Sequence, residues 1–338
     1  MVALGSLFDF SRVNCVLYSW KPVIYLFSIL MTKFLSRLIL FVSIASLIFG
    51  GWGVLVVGIE LVTYHSEIKM PAGAYILVCG DSQPAHAFDP MRWPGLFNFS
   101  RDATLLDQMR MKMTDVFAAN PQKVQTVIID ISPWKFYVND PHSALIDNDA
   151  SAAQLLINVF HWNENRRSMR GFVKIFRESI LIKKSGQLNR LFFGRRRYCS
   201  TLCGGFVQTD KAHFIDAPER VASNIRRLAN SINAAPSAGT GTAVFDEWRL
   251  MVEYSRRAGV KHIVLVTTPF HNALREAIDT EKLNDFRKKA RAFAREVGCP
   301  YIDFLDFGVP DMGWRDGNHL NRFGAALFTD AFRKAVNL

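Results

Sequence analysis

Cysteine is scarce in this chain, with five in 338 residues, and that excludes a disulfide-stapled scaffold. Nor is there a second Cys/His pair whose spacing would complete a zinc-type ligand set with Cys199 and Cys203. No metal or other cofactor is expected. Those two cysteines bracket Ser-Thr-Leu, which makes a local loop-closing disulfide the expectation in an oxidising compartment. Cys79 closes an apolar run and reads as buried packing. Charge is absent from residues 38–59, LILFVSIASLIFGGWGVLVVGI, a run of twenty-two residues. At helical rise that length crosses a bilayer core. It is too long for the apolar part of a signal peptide, and no small-x-small cleavage site follows it, which argues against a cleaved leader. Basic residues are missing on one side as well. Arg12, Lys21, Lys33 and Arg37 precede the run, whereas Lys69 is the only Lys or Arg in about thirty residues after it. The positive-inside rule then puts the N-terminus in the cytoplasm and the bulk of the chain outside.

These absences predict an organisation. Residues 1–37 are a cytoplasmic or interfacial segment, with a shorter apolar stretch at 23–31 interrupted on its N-terminal side by Lys21-Pro22. Residues 38–60 are a single-pass anchor in the cytoplasmic (inner) membrane, and 65–338 form the exported domain. The formal charge of +11 calls for an anionic partner: phospholipid, polysaccharide or nucleic acid. Export makes nucleic acid the poorest of the three.

The exported part alternates strands and helices. Apolar runs with strand character lie at 75–79, 96–99, 124–131, 260–267 and 301–305. Helical stretches lie at 104–119, 245–257, 280–297 and 323–336, and Gly259 and Gly298 make good helix stops. Strands apolar throughout are buried on both faces, so the expectation is an α/β fold with a mainly parallel sheet. In such sheets, sites form beyond the C-terminal strand ends. Residues 140–240 break the alternation and read as an inserted lobe that ends in an Ala-Pro-Ser-Gly linker. From 166 to 197 that lobe holds eleven basic residues against one acid, Glu178. Its first half is amphipathic, which suits a helix lying on anionic lipid, a dock for an anionic polymer, or a solvated face over an apolar stripe.

Two motifs bracket the domain. The run Tyr75 to Cys79 ends abruptly in Gly80-Asp81-Ser82-Gln83, and Asp316-Gly317-Asn318-His319-Leu320-Asn321 sits just before the last helical stretch. A serine hydroxyl is a poor nucleophile until an imidazole takes its proton, and the imidazole works best when a carboxylate fixes its tautomer. Asp316 and His319, three apart, are close enough to touch. Ser82, His319 and Asp316 are therefore the candidate catalytic residues. The plainer reading makes Ser82 a turn or helix-cap residue and Asp81 a turn former. His86 and His271 could approach the same rim, while His262, inside an apolar strand, reads as core.

The blocks Gly80-Asp81-Ser82 and Asp316-x-x-His319, in this order on an alternating layout, resemble the SGNH (GDSL-like) hydrolase superfamily. The anchor, Gly-Asp-Ser-Gln and the ending Asp-Gly-Asn-His-Leu-Asn-Arg-Phe-Gly-Ala are similar to bacterial cell-envelope members. Those take part in alginate O-acetylation or teichoic acid D-alanylation beside a multi-spanning membrane acyltransferase. The resemblance implies a three-layer α/β/α domain with a flavodoxin-like sheet. It also implies acyl transfer or ester hydrolysis through an acyl-serine on an envelope polysaccharide or another acyl acceptor, at the membrane lipid surface. Two departures stand out. The second block normally supplies a glycine N–H to the oxyanion hole, but Asn98-Phe99-Ser100-Arg101 contains none. The third normally has an asparagine after a glycine, where this chain reads Asp130-Ile131-Ser132-Pro133-Trp134. Asn98, Ser100 and Ser132 are the substitute oxyanion or substrate-binding candidates, together with the N–H of Ser82. Losing one such donor costs on the order of a hundredfold in rate. A catalytically silent, glycan-binding or assembly role therefore stands beside the enzymatic one.

Overall fold

The computed structural model describes residues 25–48, 50–51, 68–101, 106–138, 206, 209–236 and 242–337. The chain divides into two compact units, Met1–Val57 and Gly58–Leu338. In the first, helix α1 (Tyr25–Ile48) has a mean hydropathy of 1.8 and is long and apolar enough to cross a membrane. It starts well before the anchor expected at 38–60, and Lys33 and Arg37 lie inside it. The physical reason is that a lone Lys or Arg does not end a helix, both being good helix formers. Residues 52–67, which include the second part of the expected span, lie outside the described residues. So do the basic stretch 166–197 and the Cys199–Cys203 pair.

The second unit is α/β. Its sheet has five strands in the order β2-β1-β3-β4-β5: β1 (Ile76–Cys79), β2 (Leu96–Asn98), β3 (Thr126–Asp130), β4 (His262–Thr267) and β5 (Tyr301–Asp303). Every pairing is parallel, with Leu77 opposite both Phe97 and Val127, and Ile129 opposite Leu265. β1 and β3 are buried at every position, because both faces of the sheet are covered. Leu77, Cys79, Val127, Ile129 and Leu265 point into one apolar cluster. There they meet α3 (Leu106–Ala119), α6 (Pro218–Ala234), α7 (Thr242–Arg257) and α9 (Thr280–Glu296). Ile76, Val78, Ile128 and Val264 point into the other, with Phe88, Trp93 and Phe328. The remaining helices are α2 (Ser82–Ala87), α4 (Pro133–Tyr137), α5 (His213–Asp216), α8 (Asn272–Ala277) and α10 (Arg322–Val336).

Helix α6 falls inside the stretch expected to be an insertion. It buries Val221, Ile225, Leu228, Ala229 and Ile232 against the main core. The end of the 140–240 segment therefore belongs to the domain itself. His262 is also not core: it is the exposed first residue of β4.

Phe328 is fully buried, and its ring meets that of Phe88 edge-on at 5.1 Å and that of Phe304 at 5.2 Å. Phe328→Ala is expected to lower unfolding free energy by about 3–5 kcal/mol, whereas Leu327→Ala, on the exposed side of the same helix, should stay within about 0.5 kcal/mol. Urea denaturation of the two variants checks this, and equal effects would contradict the packing described.

Candidate active site

β1 ends at Cys79, and the chain turns within two residues into α2. Glycine is required at the turn: a Cβ on Gly80 would lie 2.0 Å from Pro84 Cγ and 3.1 Å from Asp130 Cβ. Asp81 caps the helix, its Oδ1 accepting the Gln83 N–H at 2.9 Å. This leaves Ser82 as the first helical residue, at the C-terminal edge of the sheet.

The partner loop comes from the other end of the chain. Asn321 caps α10 by accepting the N–H groups of Phe323 and Gly324, and its amide donates to Met312 O at 2.6 Å. Gly324 sits so close to the 3-10 turn Asp311–Gly313 that a Cβ would be 2.1 Å from Gly313 O. An antiparallel bridge between Trp314 and Leu320 closes the loop, and the His271 N–H donates to Gly317 O at 3.0 Å. Inside it, His319 Nδ1 lies 2.8 and 2.9 Å from the two oxygens of Asp316, and Nε2 lies 2.8 Å from Ser82 Oγ. Asp316 Oδ1 also accepts the N–H groups of Asn318 and His319. With Asp316 ionised, Nδ1 carries the proton and donates it to the carboxylate. The lone pair on Nε2 then faces the Ser82 hydroxyl, which donates to it. The two motifs, 237 residues apart, make one continuous relay of hydrogen bonds.

Burial alone would raise the Asp316 carboxyl. The His319 imidazole and its hydrogen bond, the Asn318 N–H and Arg315 outweigh it, taking the group from 3.8 down to about 2. A lowered carboxylate contributes stability above its unfolded value and loses it as the pH falls through the folded one. The window here is pH 4 to 2, and the contribution at neutral pH is about 2 kcal/mol. Urea titrations should find Asp316→Asn about 2 kcal/mol less stable than the parent at pH 7 and nearly level with it at pH 2. A gap unchanged by pH would contradict the interaction.

The three candidate oxyanion residues are placed differently. Asn98 is fully buried, and its amide donates to Pro84 O at 2.8 Å and Phe88 O at 2.9 Å while its Oδ1 accepts the Ser100 N–H. It ties β2 to α2 and has no donor left for a substrate. Ser132 caps α4, accepting the Lys135 N–H at 3.4 Å. The Ser100 hydroxyl is buried without a partner among the described residues, but its N–H is held by Asn98. The Phe99 and Arg101 N–H groups donate to Val78 and Gly80 carbonyls. Among the described residues the Ser82 N–H has no acceptor, so it is a donor left for a charge developing beside Oγ; the Gln83 side-chain NH2 and the Ser100 hydroxyl are also buried without a partner there.

Two neighbours, Lys135 and Arg315, escaped the sequence reading. Lys135 is completely buried, with Nζ 3.1 Å from Asp81 Oδ2 and in contact with Asp130 Oδ2. The readable signal was Asp130, a carboxylate ending a fully apolar strand, which needs a cation if it is to be buried. Burial pushes Asp130 up to about 6 against the pull of Lys135, with Asp81 adding to the rise. Burial works against the Lys135 charge too, but the two carboxylates prevail and raise it. Arg315 Nη1 is 2.9 Å from His86 Nε2, and the His86 ring lies 4.9 Å from that of His319. Thr268, just past β4, donates to Gln83 Oε1 at 3.3 Å. His271 is occupied as the cap of α8, with its Nε2 3.0 Å from Asp311. Among the described residues, no group of His, Cys, Asp and Glu is arranged to hold a metal. A cleft of about 410 Å³ between the starts of β4 and β5, lined by Arg256, Lys261 and Cys299 among others, opens at the opposite edge of the sheet from Ser82.

The chain matches no protein-family model, and no curated protein is detectably similar to it.

Proposed function

We propose that this protein is a membrane-anchored serine acyltransferase or esterase of the SGNH type, acting on an envelope polysaccharide. The observation that carries the reading is the relay itself, with Ser82 Oγ 2.8 Å from His319 Nε2 and Asp316 on the far side of the ring. Strand order 2-1-3-4-5, with the site beyond the C-terminal strand ends, supports a flavodoxin-like sheet in a three-layer α/β/α domain. The apolar helix α1 supports an inner-membrane anchor with the catalytic domain outside. The surplus of positive charge supports contact with anionic polymer and lipid headgroups. A multi-spanning membrane acyltransferase is the fitting source of acyl groups.

In the forward step Ser82 Oγ bonds to the acyl carbonyl carbon as its proton passes to His319 Nε2. Asp316 stabilises the imidazolium that forms, and the Ser82 N–H donates to the oxyanion. Collapse breaks the bond to the leaving group, which takes the proton back from Nε2 and departs. A sugar hydroxyl, or water, then loses its proton to His319 and attacks the acyl-Ser82 ester. The proton returns to Oγ, and the serine is regenerated.

One observation favours a second reading. The Asn98 amide and the N–H groups from Phe99 to Arg101 are already engaged, and a site short of oxyanion donors suits a silent, glycan-binding subunit of an acylation complex. Alkali-released acyl groups on the envelope polysaccharide, measured in cells carrying the parent or Ser82→Ala chain, separate the two. The enzymatic reading expects those groups to disappear in the variant; unchanged acylation would favour the binding subunit.

A further inference from the structure

The geometry points to Lys135 as a positioning residue of the serine site: its buried ammonium locks Asp81, which turns the chain into Ser82, onto Asp130 at the end of β3. This inference rests on the acyl-serine reading above. Three segments meet at one nitrogen. Lys135 comes from α4 and is fully buried, as is Asp130, while Asp81 belongs to the turn between β1 and α2. The two oxygens of Asp81 do different work, Oδ1 holding the Gln83 N–H and Oδ2 facing Nζ at 3.1 Å. Fixing both oxygens fixes the carboxylate plane, and with it the direction in which the first turn of α2 presents Ser82 to His319. The turn has no slack of its own, since Gly80 already packs against Pro84 and Asp130.

Charge makes the same demand. Two carboxylates around one ammonium leave at most one net negative charge behind the nucleophile. Without the ammonium, two carboxylates share a dry site, and one of them must take up a proton. Lys135 therefore holds the turn in register and keeps both carboxylates ionised.

A structural ion pair would change only stability, so the deciding readout is the split between binding and reaction. We would measure inactivation of the full-length chain in detergent micelles by a fluorophosphonate, as KI and kinact across pH. For folded Lys135→Met, kinact is expected to fall about ten- to a hundredfold with KI unchanged, the scale of a nucleophile displaced by about 1 Å. Its pH profile should gain an ionisation that the parent lacks. Asp81→Asn keeps the capping oxygen and loses the charge that faces Nζ, so it should fold and lose a smaller factor in kinact. It decides the matter if Lys135→Met does not fold. Folded variants that react like the parent would overturn the inference. A parent that does not react at all would overturn the acyl-serine reading, and this inference with it.

Discussion

Replacing His319 with alanine is expected to slow acylation of Ser82 by 4-nitrophenyl acetate on the order of ten-thousand- to million-fold. Proton transfer is the cause. Among the described residues the base that meets the Ser82 hydroxyl is Nε2 at 2.8 Å, and without it the attacking oxygen must carry its proton into the bond it makes. Ser82→Ala should be equally inactive, and the double variant no worse than either, because residues that act as one unit do not add. A nitrophenolate burst, followed by stopped flow and normalised to folded protein, gives the numbers. His319→Ala with more than about a tenth of parental reactivity would mean that another group supplies the base; His86, whose ring centre lies 4.9 Å from that of His319, is the neighbour to test.

Exchanging Asp316 for asparagine is expected to lower the same rate on the order of ten-thousandfold while the loop stays closed. Both carboxylate oxygens lie within 2.9 Å of His319 Nδ1, so the ring can only donate there. An asparagine can turn its NH2 toward Nδ1, which favours the tautomer with a proton on Nε2. That proton would point at Ser82 and block it as a donor. The loop itself is held by the Trp314–Leu320 bridge and the Asn321 cap, neither of which needs the Asp316 charge. Loss of rate without loss of fold is therefore the expected signature, checked by the burst rate alongside near-UV circular dichroism.

The sheet was readable because its central strands are built on apolar cores, 76–79, 127–129 and 263–266: the runs at 75–79, 124–131 and 260–267 became β1, β3 and β4. The candidate nucleophile and base were readable because a turn after such a run and a loop before an amphipathic helix are local patterns. What failed was tertiary. Helix α6 carries an apolar stripe at Val221, Ile225, Leu228, Ala229 and Ile232, but the composition of the segment before it concealed that its end rejoins the core. Asn98 looked like a donor for substrate, yet Pro84 and Phe88 take both of its N–H bonds, and nothing local announces those partners. The Lys135 contact with Asp81 was hidden for a similar reason, although Asp130 asks for a cation. A lysine next to tryptophan and phenylalanine reads as surface until a carboxylate from 54 positions away is brought to it. The apolar helix Tyr25–Ile48 starts before the expected span because it runs through Lys33 and Arg37, and a basic residue is no helix boundary.

The claim that Ser82 is an activated nucleophile is tested most directly by treating the full-length protein with a fluorophosphonate and locating the added mass by peptide mass spectrometry. A single phosphonyl adduct on Ser82 is expected, absent from Ser82→Ala and from His319→Ala. A folded protein left unmodified, or modified equally well without His319, would contradict it.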